Sequence, residues 1–158
     1  MKHCIVIGAG PGLGEAIARK FGVGGYDISL IARNSASLID QVGRLSALGV
    51  KARYGVADAG KSDELAYQLE PRQAQGGPCD VLIYNAAVLR PEGPLDLTAE
   101  TLRREFDINL VGAFVAAQNV ANHMARRGNG AILFTGGGLA LEPYPEWASL
   151  AIGKSSLR

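Results

Sequence analysis

Gly8-Ala9-Gly10-Pro11-Gly12-Leu13-Gly14 follows directly on the apolar run His3–Ile7 and leads straight into a stretch with helical spacing, Gly12–Phe21. Glycine lets a backbone reverse tightly and lets a ligand approach with no Cβ in the way. The start of the following helix offers N–H groups that have no partner within the helix, together with the positive end of its dipole. A phosphate is the natural occupant. Such a turn is a weak signal alone and becomes specific when it joins the first strand to the first helix of an α/β alternation.

That alternation continues along the chain. Short apolar runs at His3–Ile7, Asp27–Ala32, Val50–Ala57, Val81–Tyr84 and Ala131–Thr135 are apolar at consecutive positions, as in strands covered on both faces. Between them, Gly12–Phe21, Ser35–Leu48, Ser62–Glu70 and Thr98–Arg127 carry helical spacing. Gly49 suits a helix C-terminus, Ser62 and Thr98 suit N-caps, and Pro71 is expected to end or kink the third helix. The stretch from Thr98 reads as two helices or one bent helix around Asp107–Gly112. Right-handed strand–helix–strand crossovers then predict an α/β doubly wound parallel sheet, a Rossmann fold of strand order 3-2-1-4-5. Ligand is expected at the carboxyl ends of the strands, beside strand 1 where the order reverses.

With 158 residues the chain forms one domain, 1–158. Sixteen basic residues against fifteen acidic leave a formal charge of +1, which argues against nucleic acid or an anionic membrane as partner. Cys4 and Cys79 lie in or beside strand-like runs without metal-ligand spacing, and read as buried apolar residues in a reducing compartment. Met1-Lys2-His3 leaves no room for a secretory signal before the first strand, and no apolar run reaches about 18 residues, so a cytoplasmic location is expected.

Gly8, Gly12 and Gly14 fit G-x-x-x-G-x-G, whereas G-x-G-x-x-G starting at Gly8 fails at Leu13. Asn85-Ala86-Ala87 follows the fourth strand, Ala57-Asp58 follows the third, and Asp107-Ile108-Asn109-Leu110-Val111-Gly112 lies in the fourth helical stretch. Taken together these resemble the landmarks of the short-chain dehydrogenase/reductase family over essentially the whole chain. The resemblance implies NAD(P) binding by Gly8, Gly12, Leu13, Gly14, Ala57, Asp58, Asn85, Ala86 and Lys154. It also implies a homodimer or homotetramer, and further strands beyond Arg158, so that the chain is expected to be C-terminally incomplete with strand five an exposed edge.

The second strand ends Ala32-Arg33. No carboxylate is present there to accept from ribose hydroxyls and repel a 2′-phosphate, and Arg33 supplies a planar cation that can grip one. NADP(H) is therefore expected over NAD(H), with no metal.

In the resembling family a tyrosine protonates the substrate oxygen, a lysine four residues later holds the ribose, a serine polarises the carbonyl and an asparagine supports a proton relay. Lys154 matches the lysine and Asn109 the asparagine. Leu150 stands at the tyrosine position and Gly137 at the serine position. Carbonyl reduction develops negative charge on oxygen and needs a donor, which leucine cannot be. Two readings follow. One is an oxidoreductase acting on an unidentified small carbonyl or alcohol, with Lys154 or the amides of Gly136–Gly138 as substitute donors. The other is a non-catalytic NADP(H) sensor or oligomerisation module. Ser149, Ser155, Tyr144 and His123 are assigned packing or surface roles, and His3 a strand start without partners.

Overall fold

The computed structural model describes residues 2–158. Its elements are β1 (Lys2–Ile7), α1 (Leu13–Val23), β2 (Tyr26–Ala32), α2 (Ser35–Ala47), β3 (Ala52–Val56), α3 (Ser62–Gly76), β4 (Val81–Tyr84), α4 (Ala99–Phe106), α5 (Gly112–Arg127), β5 (Ala131–Phe134) and α6 (Ala148–Leu157). A π-helical turn, Asp107–Val111, joins α4 to α5, and a 3-10 turn, Gly138–Ala140, lies between β5 and α6. The strands form one parallel sheet of order β3-β2-β1-β4-β5, as expected from the alternation.

The consecutive apolar positions of the strands are used on both faces. Ile5, Ile7, Leu82 and Tyr84 pack with Leu65 and Leu69 of α3 and with Ala113, Ala116 and Val120 of α5. Cys4, Val6, Ile28, Leu30 and Ile83 pack with Ala18 of α1 and with Leu38 and Leu45 of α2. Successive side chains leave a strand on opposite faces, so a strand with helices on both sides has no position to spare for solvent. Both cysteines are fully buried, and burial pushes the Cys79 thiol up to about 12 and raises the Cys4 thiol as well. Neither is a ready thiolate. No helix among the described residues is long and apolar enough to cross a membrane.

Two local expectations change. The third helix runs through Pro71 to Gly76 instead of stopping at Glu70. Proline removes one backbone bond, and tertiary contacts offset it: Arg72 donates to the Tyr54 carbonyl, and Gln73 Nε2 to Asn119 Oδ1 at 2.8 Å. Ser62 is the first helical residue, not the N-cap, which is Lys61. The loop closes earlier because the Lys61 N–H bonds the Asp58 carbonyl and its ammonium pairs with Glu64 at 2.8 Å. Thr98 does cap α4, its side chain accepting from the Thr101 N–H. Gly49, at φ +75°, follows the C-cap Leu48 and completes a left-handed helix ending, with the Val50 N–H returning to the Leu45 carbonyl at 3.1 Å. The fourth stretch is helical without a break, α4 passing through the π turn into α5, and the Tyr84 hydroxyl donates to the carbonyl of Ile108 within that turn.

His3 is the largest departure. It is fully buried with both ring nitrogens bonded, Nδ1 at 2.8 Å from the Gly77 carbonyl and Nε2 at 2.8 Å from Ser29 Oγ. A carbonyl only accepts, so Nδ1 carries the proton and Nε2 accepts from the serine hydroxyl. Burial lowers its pKa, and Arg53 adds to this against the opposing Gly77 carbonyl, Asp27 and Asp80. His3 is therefore neutral when folded, whereas in the unfolded chain it titrates near 6.5. A folded pKa below the unfolded one makes the contribution complete above about pH 6.5 and erodes it as pH falls below that value. Urea midpoints should drop between pH 8 and pH 5 more steeply for the unmodified chain than for His3→Gln. The variant itself should cost about 1–3 kcal/mol at neutral pH, from the polar partners left unpaired.

Candidate functional site

All five strands run the same way, so the segments after Ile7, Ala32, Val56, Tyr84 and Phe134 emerge along one edge of the sheet. A cleft of about 520 Å³ opens there, walled by Gly8–Pro11, Ile31–Asn34, Ala57–Ala59 and Asn85–Leu89. Of the expected residues, Gly8, Arg33, Ala57, Asp58, Asn85 and Ala86 meet on this wall. Gly12, Leu13, Gly14, Asn109 and Lys154 do not.

The glycines of the turn divide their work. Gly8 has φ +80°, and a Cβ there would fall on the backbone of Asn85 and Ala86. Gly14 sits so close beneath the turn that a Cβ would lie 2.5 Å from the Gly8 carbonyl oxygen. Gly12 has φ +97° with open space around it, so its requirement is conformational. Gly10 needs neither: its φ is ordinary, a Cβ would meet nothing within 4 Å, and it faces the cleft. Reasoning from spacing passed over Gly10 because it falls outside the G-x-x-x-G-x-G phase.

Neighbouring elements pin the turn. The Gly8 N–H donates to the Ile31 carbonyl at 2.9 Å, and Asn85 Nδ2 donates to the Gly8 carbonyl at 3.0 Å. Gln41, buried on α2, donates to the Ala9 carbonyl at 2.6 Å. Nothing in the sequence singled out Gln41, since its partner lies 32 positions away. Arg33 is exposed and makes no hydrogen bond or ion pair among the described residues, whereas Asp58 uses Oδ1 to accept from the Gly60 N–H at 3.0 Å. The wall thus presents a free guanidinium beyond β2 and an acid already engaged beyond β3.

A second corner lies at the end of β5. Lys154 Nζ donates to the Thr135 carbonyl at 2.7 Å, and burial lowers its pKa. Leu150, one helical turn earlier, is buried. Gly136, Gly137 and Gly138 have open space where a side chain would go. Asn109 is buried in the π turn, with Oδ1 accepting from the Val88 N–H at 3.0 Å and Nδ2 unpaired; its side chain leaves no room for a Cβ on Gly153. Its amide thus holds the loop after β4. Ser149 is buried with its hydroxyl unpaired, Ser155 donates to the Ala140 carbonyl at 3.3 Å, and Tyr144 and His123 are exposed.

A sequence model of the short chain dehydrogenase family matches residues 2–158, and the chain belongs to that family. It is 32% identical over 158 residues to a 2,3-dihydro-2,3-dihydroxybenzoate dehydrogenase of Bacillus subtilis (strain 168), an alignment covering 98% of this chain and 60% of that protein. The chain therefore spans about three fifths of that relative's length. Among solved structures, a metagenomic short-chain oxidoreductase in complex with NADP superimposes with a TM-score of 0.94 at 29% identity, covering 99% of this chain and 71% of the other. A 7α-hydroxysteroid dehydrogenase complexed with NADH and 7-oxo glycochenodeoxycholic acid gives 0.93 at 27% identity, covering 99% and 61%. Neighbours of nearly equal likeness thus carry different dinucleotides, and cofactor choice has to be argued from this chain's own wall.

Gly10→Val isolates ligand approach from backbone strain. The variant should keep its thermal midpoint within about 1 °C, because a surface change without strain costs less than about 0.5 kcal/mol. It should bind dinucleotide at least about tenfold more weakly in calorimetric titration. Gly12→Val, forced into a left-handed conformation, should lose about 1–3 kcal/mol of stability as well.

Proposed function

We propose that the chain is the cofactor-binding part of an NADP(H)-dependent oxidoreductase acting on a small carbonyl or alcohol. The observation that carries this is Arg33, exposed and without a partner among the described residues, on a cleft that the glycine turn also walls. The residues present fit the group: Gly10 leaves open room beside the turn, and no carboxylate follows Ala32 to repel a 2′-phosphate. Gly8–Gly14 would receive the pyrophosphate, Arg33 the 2′-phosphate, Ala57 and Asp58 the adenine side, and Asn85 and Ala86 the far ribose, with Lys154 beside it. Bound there, the cofactor supplies or accepts the hydride.

What remains for the chain is the proton. Leu150 and Gly137 stand where the family has its tyrosine and serine, and neither has a group to donate. Lys154 is the charged side-chain donor in that corner, its Nζ on the Thr135 carbonyl. Its ammonium can pass a proton to a nascent alkoxide and become the neutral amine, and the burial that lowers its pKa favours that transfer. Its remaining ammonium hydrogens can also polarise the carbonyl oxygen beforehand. A buried Leu150 also favours a second reading, in which the cleft binds NADP(H) without turnover.

NADPH should bind at least about tenfold more tightly than NADH, since a charge-assisted phosphate contact is worth about 1.5–3 kcal/mol, and Arg33→Ala should remove most of that difference. Equal affinities in the unmodified chain would exclude the assignment. Losing a positioned acid costs about 10²–10⁴-fold, so the protein should reduce simple aldehydes and ketones slowly, and Leu150→Tyr with Gly137→Ser should accelerate it. Turnover that is fast beforehand and collapses in Lys154→Met with NADPH affinity kept would assign the proton to the lysine.

A further inference from the structure

Glu105 is a carboxylate at the core side of α4, 2% exposed. A charge taken out of water persists only beside a counter-charge. Glu105 has one in Arg90, from the loop after β4, with Nε 3.1 Å from Oε1. The two atoms face each other without the alignment of a hydrogen bond, so attraction between charges holds them. The same guanidinium pairs through Nη2 with Glu92.

Glu92 then reaches the far side of the site through its backbone. Its N–H donates to the Glu146 carbonyl at 2.8 Å and its carbonyl accepts from the Ala148 N–H at 3.3 Å, a parallel bridge about Trp147. Trp147 and Ala148 begin α6, the helix that carries Leu150, Gly153 and Lys154. Four residues beyond Glu105, Asn109 takes the Val88 N–H from the same loop. Val88–Glu92 is therefore fastened to α4 and the π turn at two points and is itself the fastening for α6.

We infer that Arg90 and Glu105 are positioning residues, a charge tether that runs from α4 through the Val88–Glu92 loop and sets where α6 places Lys154 against the end of β5. The guanidinium lies between two carboxylates at once, hydrogen-bonded to Glu92 through Nη2 and held to the buried Glu105 by charge, so it ties the loop to α4 from both sides. An apolar contact at the same place would bury as well and would let the loop slide. The part assigned to Lys154 rests on the function proposed above; the tether itself does not.

Glu105→Gln and the double variant Arg90→Met with Glu105→Leu test it, the second because it strands no charge at the buried Glu105 position, Glu92 being 19% exposed and within reach of water, and should fold with a thermal midpoint near that of the unmodified chain. Hydrogen exchange at the Glu92 and Ala148 amides and the NMR signal of isotopically dimethylated Lys154 are read without cofactor, and NADPH affinity is read separately. Both variants should lose about tenfold or more in protection at the two amides. The Lys154 amine should titrate closer to an exposed lysine, and NADPH affinity should weaken about fivefold or more. Arg90→Lys, which keeps charge without the guanidinium, should fall between. Unchanged protection at Glu92 and Ala148 in the folded double variant overturns the tether, as does an unmoved Lys154 signal once those amides have opened. Failure of the unmodified chain to bind NADPH strikes the cofactor assignment and leaves the tether to the two cofactor-free measurements.

Discussion

Where β1 ends, the chain passes so close to the end of β4 that no side chain fits between them. A Cβ on Gly8 would overlap the Asn85–Ala86 backbone, one on Gly14 would crowd the Gly8 carbonyl, and the Asn85 amide bonds that same carbonyl. This contact falls between β1 and β4, the neighbours at which the sheet order turns from β2 on one side to β4 on the other. Crossovers on the two sides leave on opposite faces, and the segments after the strands part to form a crevice. The tight turn keeps the floor of that crevice in backbone, with few side chains to obstruct a ligand. Gly10, Arg33, Asp58 and Asn85 share one cleft because of it.

The same parallel arrangement divides the molecule into two polar ends with different tasks. At the amino ends of the strands, His3, Ser29, the Gly77 carbonyl and Asp80 form a closed set in which each ring nitrogen has a partner. A buried imidazole with satisfied bonds serves stability. At the carboxyl ends several groups are left open: Arg33 without partner, Asn109 Nδ2 unpaired, and three glycines with room around them. The buried, unpaired Asn109 Nδ2 costs the free protein stability, whereas the solvated Arg33 does not and is open to a ligand.

The cleft beside the glycine turn and the Lys154 corner are built by different means. Hydrogen bonds near in space to β1 and β2 hold the first, and each element there is anchored in the sheet. The second depends on α6, which follows a long irregular segment, buries Leu150 and Ala151, packs Leu157 against the core, and is joined to other segments by Lys154 on Thr135, Ser155 on Ala140, Gly153 close against Asn109 and the Glu92–Trp147 bridge.

Strand positions, their parallel order and the glycine turn that ends β1 were legible in the residues alone, because periodicity and short spacings are converted directly into geometry by local propensity and the handedness of crossovers. Asp58 and Asn85, which share the cleft with Arg33, were picked out by the family resemblance. Tertiary structure decided the rest. Pro71 stays inside α3 because Arg72 and Gln73 find partners on β3 and α5. His3 gains Ser29 and Gly77, Gln41 gains Ala9, and Glu105 gains Arg90, each across a gap in sequence that carries no pattern. Spacing assigned Gly14 to the ligand, and packing assigns it to the close approach of α1 to β1. A polar residue announces that it needs a partner; which partner it finds depends on the folded chain, where distance in space replaces distance in sequence.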